Sequence, residues 1–117
     1  MKKSVKNKWI EALKSGKYKR GQEALKTSKG TFCCLGVLCD ILGQGEWKKD
    51  HKLGNYTFNK EDAFLDNETA YAAGIKQNSV YLDELMKIND WRSYKGQTDK
   101  KGYARQIKYI EKNWEKL

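Results

Sequence analysis

Apolar residues lie three or four positions apart near both ends of the chain, a spacing typical of the buried face of an amphipathic helix. At the start of the chain, Val5, Trp9 and Leu13 predict a helix over residues 4–15. Near the end, the most regular spacing in the sequence predicts a last helix, with apolar positions at Tyr103, Ile107, Ile110 and Trp114.

Between these helices, residues 31–42 form the one strongly apolar run in an otherwise polar chain. Its second part, from Cys34 to Leu42, predicts a buried helix that ends at Gly43, because glycine favours the left-handed conformation that terminates helices. The run therefore locates the core. Its three cysteines are interpreted as small buried hydrophobes.

Shorter patterns predict the remaining elements. Residues 23–27 and 30–34 predict a hairpin that turns at Ser28-Lys29-Gly30, and residues 47–59 predict a second hairpin. Residues 66–69 supply helix-start chemistry for a short helix that ends at Gly74.

A further helix is predicted from Ser79, which can cap it, through Ile88, and residues 91–101 are predicted to form a loop. The sum is a small α+β protein, a single domain over residues 1–117 that is mostly helical and has a small antiparallel sheet.

The charge of this chain is unevenly distributed. The net charge of +9 comes from residues 1–20 and 87–117, while the stretch between them is slightly acidic. Such a pattern favours an anionic partner, whether a nucleotide, a nucleic acid or an acidic protein, although charge runs can also be merely solvated faces. No apolar run approaches the ~18 residues of a membrane span, and no secretory signal is evident. Three cysteines make a poor disulfide framework, which favours a reducing cytoplasm.

Catalytic and metal chemistry find little support in the sequence. Cys34, Cys39 and His51 could supply three metal ligands, but no CxxC pair and no fourth ligand accompanies them. His51 is the sole histidine available as a base for a cysteine nucleophile. No phosphate-loop or dinucleotide motif is present. We therefore expect no enzyme activity, no metal and no cofactor.

Two segments mix planar rings with cations. Tyr18 lies within the basic turn 17–20, and Trp91 opens the segment 91–95, which also contains Arg92 and Tyr94. Rings stack on bases and guanidinium groups bind phosphates in pairs of hydrogen bonds. Only three arginines accompany 21 lysines, so each arginine, including Arg20 and Arg105, is a candidate for a placed contact.

Several stretches resemble a widespread family of small phage and prophage proteins. They are SGKYKRGQ at residues 15–22, Leu25-Lys26, FCCLGVLCD at 32–40, Leu85, Asn89-Asp90 and IEKNW at 110–114. The pattern is similar to that of viral Thoeris anti-defence proteins, which bind a cyclic ADP-ribose-like or cyclic oligonucleotide immune signal without reacting with it. By that resemblance, the ligand-binding residues would be Arg20, Lys26, Tyr81, Asn89 and Arg105.

The leading hypothesis is therefore a non-catalytic binding protein in the host-cell cytoplasm that sequesters a phosphate-bearing nucleotide signal, as a homo-oligomer. Arg20, Lys26 and Arg105 would neutralise phosphates, Tyr81 or Trp91 would stack on a base, and Asn89 would supply hydrogen-bond specificity. Two alternatives remain: a nucleic-acid-binding protein that uses its basic first and last helices, and a protein-binding inhibitor of a host factor.

Overall fold

Five α-helices, a two-stranded sheet and a 3₁₀ turn make up the described part of the chain, which in this computed structural model comprises residues 1–52, 54–90 and 102–117. The elements, in order, are α1 Lys3–Lys14, α2 Cys34–Leu42, β1 Trp47–Lys49, β2 Tyr56–Phe58, α3 Asn67–Ala73, α4 Val80–Asp90, α5 Ala104–Asn113 and the 3₁₀ turn Trp114–Lys116. This arrangement confirms the predicted α+β class with its small antiparallel sheet.

The helix boundaries follow the signals predicted from the sequence. Gly43 ends α2 with a φ of 60°, and Gly74 ends α3 with a φ of 70°. The Asp66 carboxylate caps α3 by accepting a hydrogen bond from the Thr69 N–H at 3.1 Å. The Ser79 hydroxyl accepts one from the Tyr81 N–H at 3.2 Å at the start of α4. These caps satisfy N–H groups that the helices themselves leave without partners.

The predicted hairpin of residues 23–27 and 30–34 forms only in part, as a turn with one antiparallel bridge and without regular strands. In the turn, the Gly30 N–H donates to the Thr27 carbonyl at 2.9 Å. Beyond it, the Thr27 N–H donates to the Thr31 carbonyl at 2.8 Å and the Cys33 N–H to the Leu25 carbonyl at 3.2 Å, which pairs the two sides of the turn. Phe32 pairs with Lys26 on one side and with Arg20 on the other, and Lys26 also pairs with Tyr56. The extended conformation stops at Glu23, where φ is 68°, so no regular strand continues from this pairing.

Helix α2 lies at the centre of the core, as predicted, and α1 packs against both α2 and α5. All three cysteines are buried and free, which confirms their interpretation as core residues. The Trp9 indole donates to the Cys34 carbonyl at 2.8 Å and thereby joins α1 to α2.

Because α1 packs on α5, the two basic ends of the chain come together. Lys14 forms an exposed ion pair with Glu111 at 3.5 Å, and the Lys6 ammonium lies 5.2 Å from the centre of a Trp114 ring. Residues 91–101, predicted to form a loop, lie outside the described residues. Within the described residues, no helix combines the length and the apolar character needed to cross a membrane.

Candidate functional site

An open cleft of about 560 Å³ lies between α4 and α5. The described residues that line it are Tyr81, Ile88, Arg105, Lys108, Tyr109, Lys112 and Asn113. The cleft brings together two residues that the sequence predicts to bind a ligand, Tyr81 and Arg105. Its chemistry combines two phenol rings with three cations, and none of these lining residues is acidic.

Helix geometry accounts for the row of cations. Arg105, Lys108 and Lys112 are three and four residues apart on α5, so their side chains emerge on one face of the helix. The row is about 10 Å long at the helical rise of 1.5 Å per residue. The opposite face of α5 is held in the core by Gln106 and Ile110, both buried.

The two rings have defined neighbours. The Lys116 ammonium lies 5.2 Å from the centre of the half-buried Tyr81 ring. Burial raises the pKa of Tyr109, and the nearby charges of Glu84 and Tyr81 act in the same direction. Glu84 is thus an acid close to the cleft, although it does not line it.

The structure places Asn89 inside the protein. Only 1% of this residue is exposed. Its Oδ1 accepts hydrogen bonds from the Cys34 N–H and from Gln106 Nε2, both at 3.1 Å. Its Nδ2 donates to the Gly21 carbonyl and to Asp90, both at 3.2 Å. The amide is fully engaged within the protein, so its ligand-binding role stays a prediction with no support from this geometry.

Arg20 lies beside Asn89 rather than in the α4–α5 cleft. Its guanidinium donates from Nη1 to the Asn89 carbonyl at 3.2 Å. Arg20 and Asn89 therefore form a pair at the end of α4, and neither residue lines the cleft that contains Tyr81 and Arg105.

Lys26 occupies a third place, among aromatic rings. Its ammonium lies 4.3 Å from the centre of the Tyr56 ring, 5.3 Å from Phe32 and 5.5 Å from a ring of Trp47. Trp91, the other predicted stacking residue, lies outside the described residues. The predicted site thus divides into the α4–α5 cleft, the Arg20–Asn89 pair and the surroundings of Lys26.

A second groove, of about 650 Å³, runs between α1 and α5. Its lining includes Lys6 and Lys14 together with Glu11 and Glu111. Two acids opposite two lysines make this groove a poor match for phosphate, unlike the cleft between α4 and α5. Within the described residues, no group of three or more histidine, cysteine or acidic side chains could hold a metal ion.

The sequence predicted no ligand-binding role for Lys108, Tyr109 and Lys112. The sequence does contain a signal for these residues. The apolar positions of α5 show which face of the helix is buried, and the remaining positions therefore form the exposed face. The cations on that face could have been grouped with Arg105 once α5 was placed.

One family model, described as "Domain of unknown function (DUF8296)", matches residues 1–112 of the chain. The chain belongs to this family. No curated protein and no solved structure matches it. The description of the DUF8296 family states no activity, so the chemistry of the site is the guide to what this member of the family binds.

Proposed function

We propose that this protein is a non-catalytic, phage-type binding protein that sequesters a phosphate-bearing nucleotide in the α4–α5 cleft. The ligand would be a cyclic ADP-ribose-like or cyclic oligonucleotide immune signal, and its capture would antagonise host anti-phage defence. One observation carries the proposal: two aromatic rings and three cations line one cleft, and none of the described residues that line it is acidic.

Each side chain has a role in this proposal. Arg105, Lys108 and Lys112 bind phosphate oxygens, with Arg105 offering the paired hydrogen bonds of a guanidinium group. A row of cations about 10 Å long suits a ligand with more than one phosphate group. Tyr81 and Tyr109 provide ring faces for a base.

The lining chemistry favours binding over reaction. Among the described residues, the lining contains no histidine, cysteine or carboxylate, the side chains that most often act as general bases or nucleophiles. The Tyr109 phenol is also a poor candidate for a base, because burial raises its pKa and the phenol therefore keeps its proton. A general base would need a pKa near the working pH. We therefore infer that the ligand leaves the cleft unchanged.

An open cleft releases small ligands faster than a closed one, whereas effective sequestration needs slow release. A second subunit placed over the α4–α5 cleft would cover the ligand, so a homo-oligomer remains part of the proposal. Arg20 and Lys26, predicted as phosphate ligands, do not line the cleft of their own subunit, and the proposal assigns the phosphates to the α5 cations instead.

The test is a thermal-shift screen of the purified protein with cyclic ADP-ribose isomers and cyclic di- and trinucleotides, each at low and moderate salt. We expect one small nucleotide to raise the melting temperature at both salt concentrations. Calorimetric titration of that nucleotide should show Arg105→Ala weakening binding by about tenfold or more. Lys8→Ala, which removes an exposed cation from α1, is the matched control and should change the affinity less than about twofold.

Recovery of the bound nucleotide by heat, followed by mass spectrometry, tests the absence of chemistry. An intact ligand supports sequestration, whereas a hydrolysed ligand would identify an enzyme. If no small nucleotide raises the melting temperature, the cleft proposal is wrong, and a macromolecular partner becomes the better explanation of the basic charge.

A further inference from the structure

Backbone pairing lines up four side chains across one face of the molecule. Lys49 pairs with Tyr56 in the β1–β2 sheet, Tyr56 pairs with Lys26, and Lys26 pairs with Phe32. Residues directly opposite each other in paired strands project from the same face. The order across this face is therefore cation, ring, cation, ring, with neighbours about 5 Å apart.

Two more rings extend this row. The ring centre of Trp47 lies 5.8 Å from that of Phe32, and the ring centre of Tyr18 lies 5.0 Å from Phe32 on another side. Both contacts are edge-to-face. We call the four rings Tyr18, Phe32, Trp47 and Tyr56, together with Lys26 and Lys49, the aromatic platform.

Hydrogen bonds to one carboxylate fix the outer rings of the platform. Asp40 accepts from the Tyr18 hydroxyl at 2.6 Å and from the Trp47 indole N–H at 3.1 Å, using a different oxygen for each. The rings are thus ordered before any ligand arrives. Asp40 is an acid at the edge of the platform, with its two oxygens directed towards these ring donors.

The partial exposure of the rings distinguishes this platform from the hydrophobic core, against which Tyr18, Phe32 and Trp47 pack. Phe58, whose ring centre lies 5.0 Å from that of Trp47, is buried and belongs to the core. The four platform rings are only partly buried, and Lys49 is exposed. Lys26 is the residue that lies against three of the platform rings. Lys26 and these rings are only partly buried, so solvent weakens the cation–π contacts and Lys26 can turn from the rings towards a phosphate.

We propose that the aromatic platform is a binding site for single-stranded nucleic acid. Bases would stack on Tyr56 and Trp47, while Lys26 and Lys49 would bind the backbone phosphates. A duplex hides the faces of its bases, so the partly exposed rings favour single strands. The platform shares no lining residue with the α4–α5 cleft, and it differs from the basic helix surface expected from the sequence.

The experiment measures the binding of fluorescein-labelled oligo-dT and oligo-U of about ten nucleotides by anisotropy, at about 50 mM and 200 mM salt. Quenching of tryptophan fluorescence by the unlabelled strands is the second readout. We expect both strands to bind, with an affinity that falls as the salt concentration rises. In the Trp47→Phe variant, the strands should quench much less of the tryptophan fluorescence. The two strands show whether the platform prefers DNA or RNA.

Neighbouring residues of β1 provide a matched pair of variants. Lys49 lies in the platform, whereas Lys48 pairs with Thr57 and projects from the opposite face. Lys49→Ala should weaken binding several-fold and reduce the slope of log affinity against log salt concentration by about 1, the value expected for one lost phosphate contact. Lys48→Ala should change neither the affinity nor this slope. Tyr56→Leu should weaken binding by about tenfold, whereas Tyr71→Leu, at an exposed ring of α3, should not. Thermal melts confirm that each variant is folded.

Equal losses for Lys48→Ala and Lys49→Ala would overturn the proposal, because the attraction would then be to charge in general. Equal affinity for a duplex, unaffected by Tyr56→Leu, would also overturn it, as would no binding at low salt. Arg105→Ala should retain oligonucleotide binding, so this test and the test of the nucleotide cleft can fail independently.

Discussion

The side chain of Asn89, near the end of α4, holds the first residue of α2: its Oδ1 accepts a hydrogen bond from the Cys34 N–H at 3.1 Å. The N–H groups at the start of a helix have no partner within the helix. Asn89 supplies that partner from a position 55 residues away in the sequence. Its Nδ2 also binds the Gly21 carbonyl, so the same amide joins α4 to α2 and to the basic turn.

We predict that Asn89→Ala lowers the free energy of unfolding by about 2–4 kcal/mol, because it leaves the buried Cys34 N–H and the Gly21 carbonyl without partners. Urea unfolding followed by tryptophan fluorescence measures the change. Asn78→Ala, at an exposed position, is the control and should stay within about 0.5 kcal/mol of the wild type. A stable Asn89→Ala protein that has lost nucleotide binding would instead support the ligand role predicted from the sequence.

Substitution by serine should have different effects on stability at the adjacent positions Cys33 and Cys34. Cys33 precedes α2, and its sulfur accepts a hydrogen bond from the Gly36 N–H at 3.3 Å. A serine hydroxyl can make the same cap, so Cys33→Ser should change the free energy of unfolding by less than about 1 kcal/mol. Cys34 is fully buried, and Cys34→Ser should cost about 1–3 kcal/mol by burying a hydroxyl without a partner. Equal effects in urea unfolding would contradict this distinction.

The native thiols should resist alkylation. Burial raises the pKa of Cys33 to about 12 and raises the pKa of Cys34 well above its ordinary value. Burial and the neighbouring Asp66 also raise the pKa of Cys39. Because the thiolate is the reactive form, iodoacetamide at pH 8 should label none of the three thiols in the native protein and all three in urea. Mass spectrometry counts the adducts, and rapid labelling of any one thiol under native conditions would refute its burial.

The sequence predicted the elements that depend on interactions between residues close together in the chain, and it predicted less well those that depend on residues far apart. Helical spacing and capping residues predicted all five helices, because both signals are local. The hairpin at residues 23–34 is reduced to one antiparallel bridge between Lys26 and Phe32, and these two residues also pair with Tyr56 and Arg20, which lie outside the hairpin. Such pairings depend on how the whole chain packs, and no local pattern encodes them.

The candidate site shows the same division. Tyr81 and Arg105 share a cleft because α4 packs on α5, a contact consistent with two predicted amphipathic helices. Asn89 looked like a polar residue at a helix end, where side chains are normally exposed. Its burial follows from the approach of Gln106 and the Cys34 N–H, which come from two other helices. The sequence could not indicate that approach.

The Tyr18 phenol should lose its proton only at strongly alkaline pH, and this should make the free energy of unfolding depend on pH in that range. Burial raises its pKa from 10.0 to about 12, and the hydrogen bond to Asp40 and that residue's charge add to the shift. The folded protein therefore holds this proton more tightly than the unfolded chain does. The resulting stability is fully present below about pH 10 and is lost as the pH rises from about 10 towards 12.

Urea unfolding of the wild type and Tyr18→Phe across this interval measures the effect. The wild type should lose stability relative to the variant as the pH rises, and the comparison removes the contribution of lysine titration common to both proteins. Asp40→Asn keeps an acceptor but removes the charge, so it should bring the pKa of Tyr18 closer to 10, as seen by ultraviolet titration. Parallel stability profiles for wild type and Tyr18→Phe would contradict the Tyr18–Asp40 contact.

At Gly36, α2 lies very close to the backbone of the preceding segment. A Cβ atom there would lie 1.9 Å from the Leu25 carbonyl oxygen and 2.7 Å from the carbonyl carbon, and backbone atoms cannot turn aside as a side chain can. Gly36→Ala should therefore displace α2, disturb the hydrogen bond from the Cys33 N–H to the Leu25 carbonyl, and lower the free energy of unfolding by about 3 kcal/mol or more.

Gly102→Ala is the matched control, because a Cβ at Gly102 would meet no atom of the described residues within 4 Å. That variant should stay within about 1 kcal/mol of the wild type, since its main effect is on the unfolded chain. Urea unfolding compares the two alanine variants directly. A Gly36→Ala protein as stable as Gly102→Ala would mean that α2 does not approach Leu25 closely. The close approach to Leu25 is the structural reason for a glycine at position 36, and that result would show that this position does not require one.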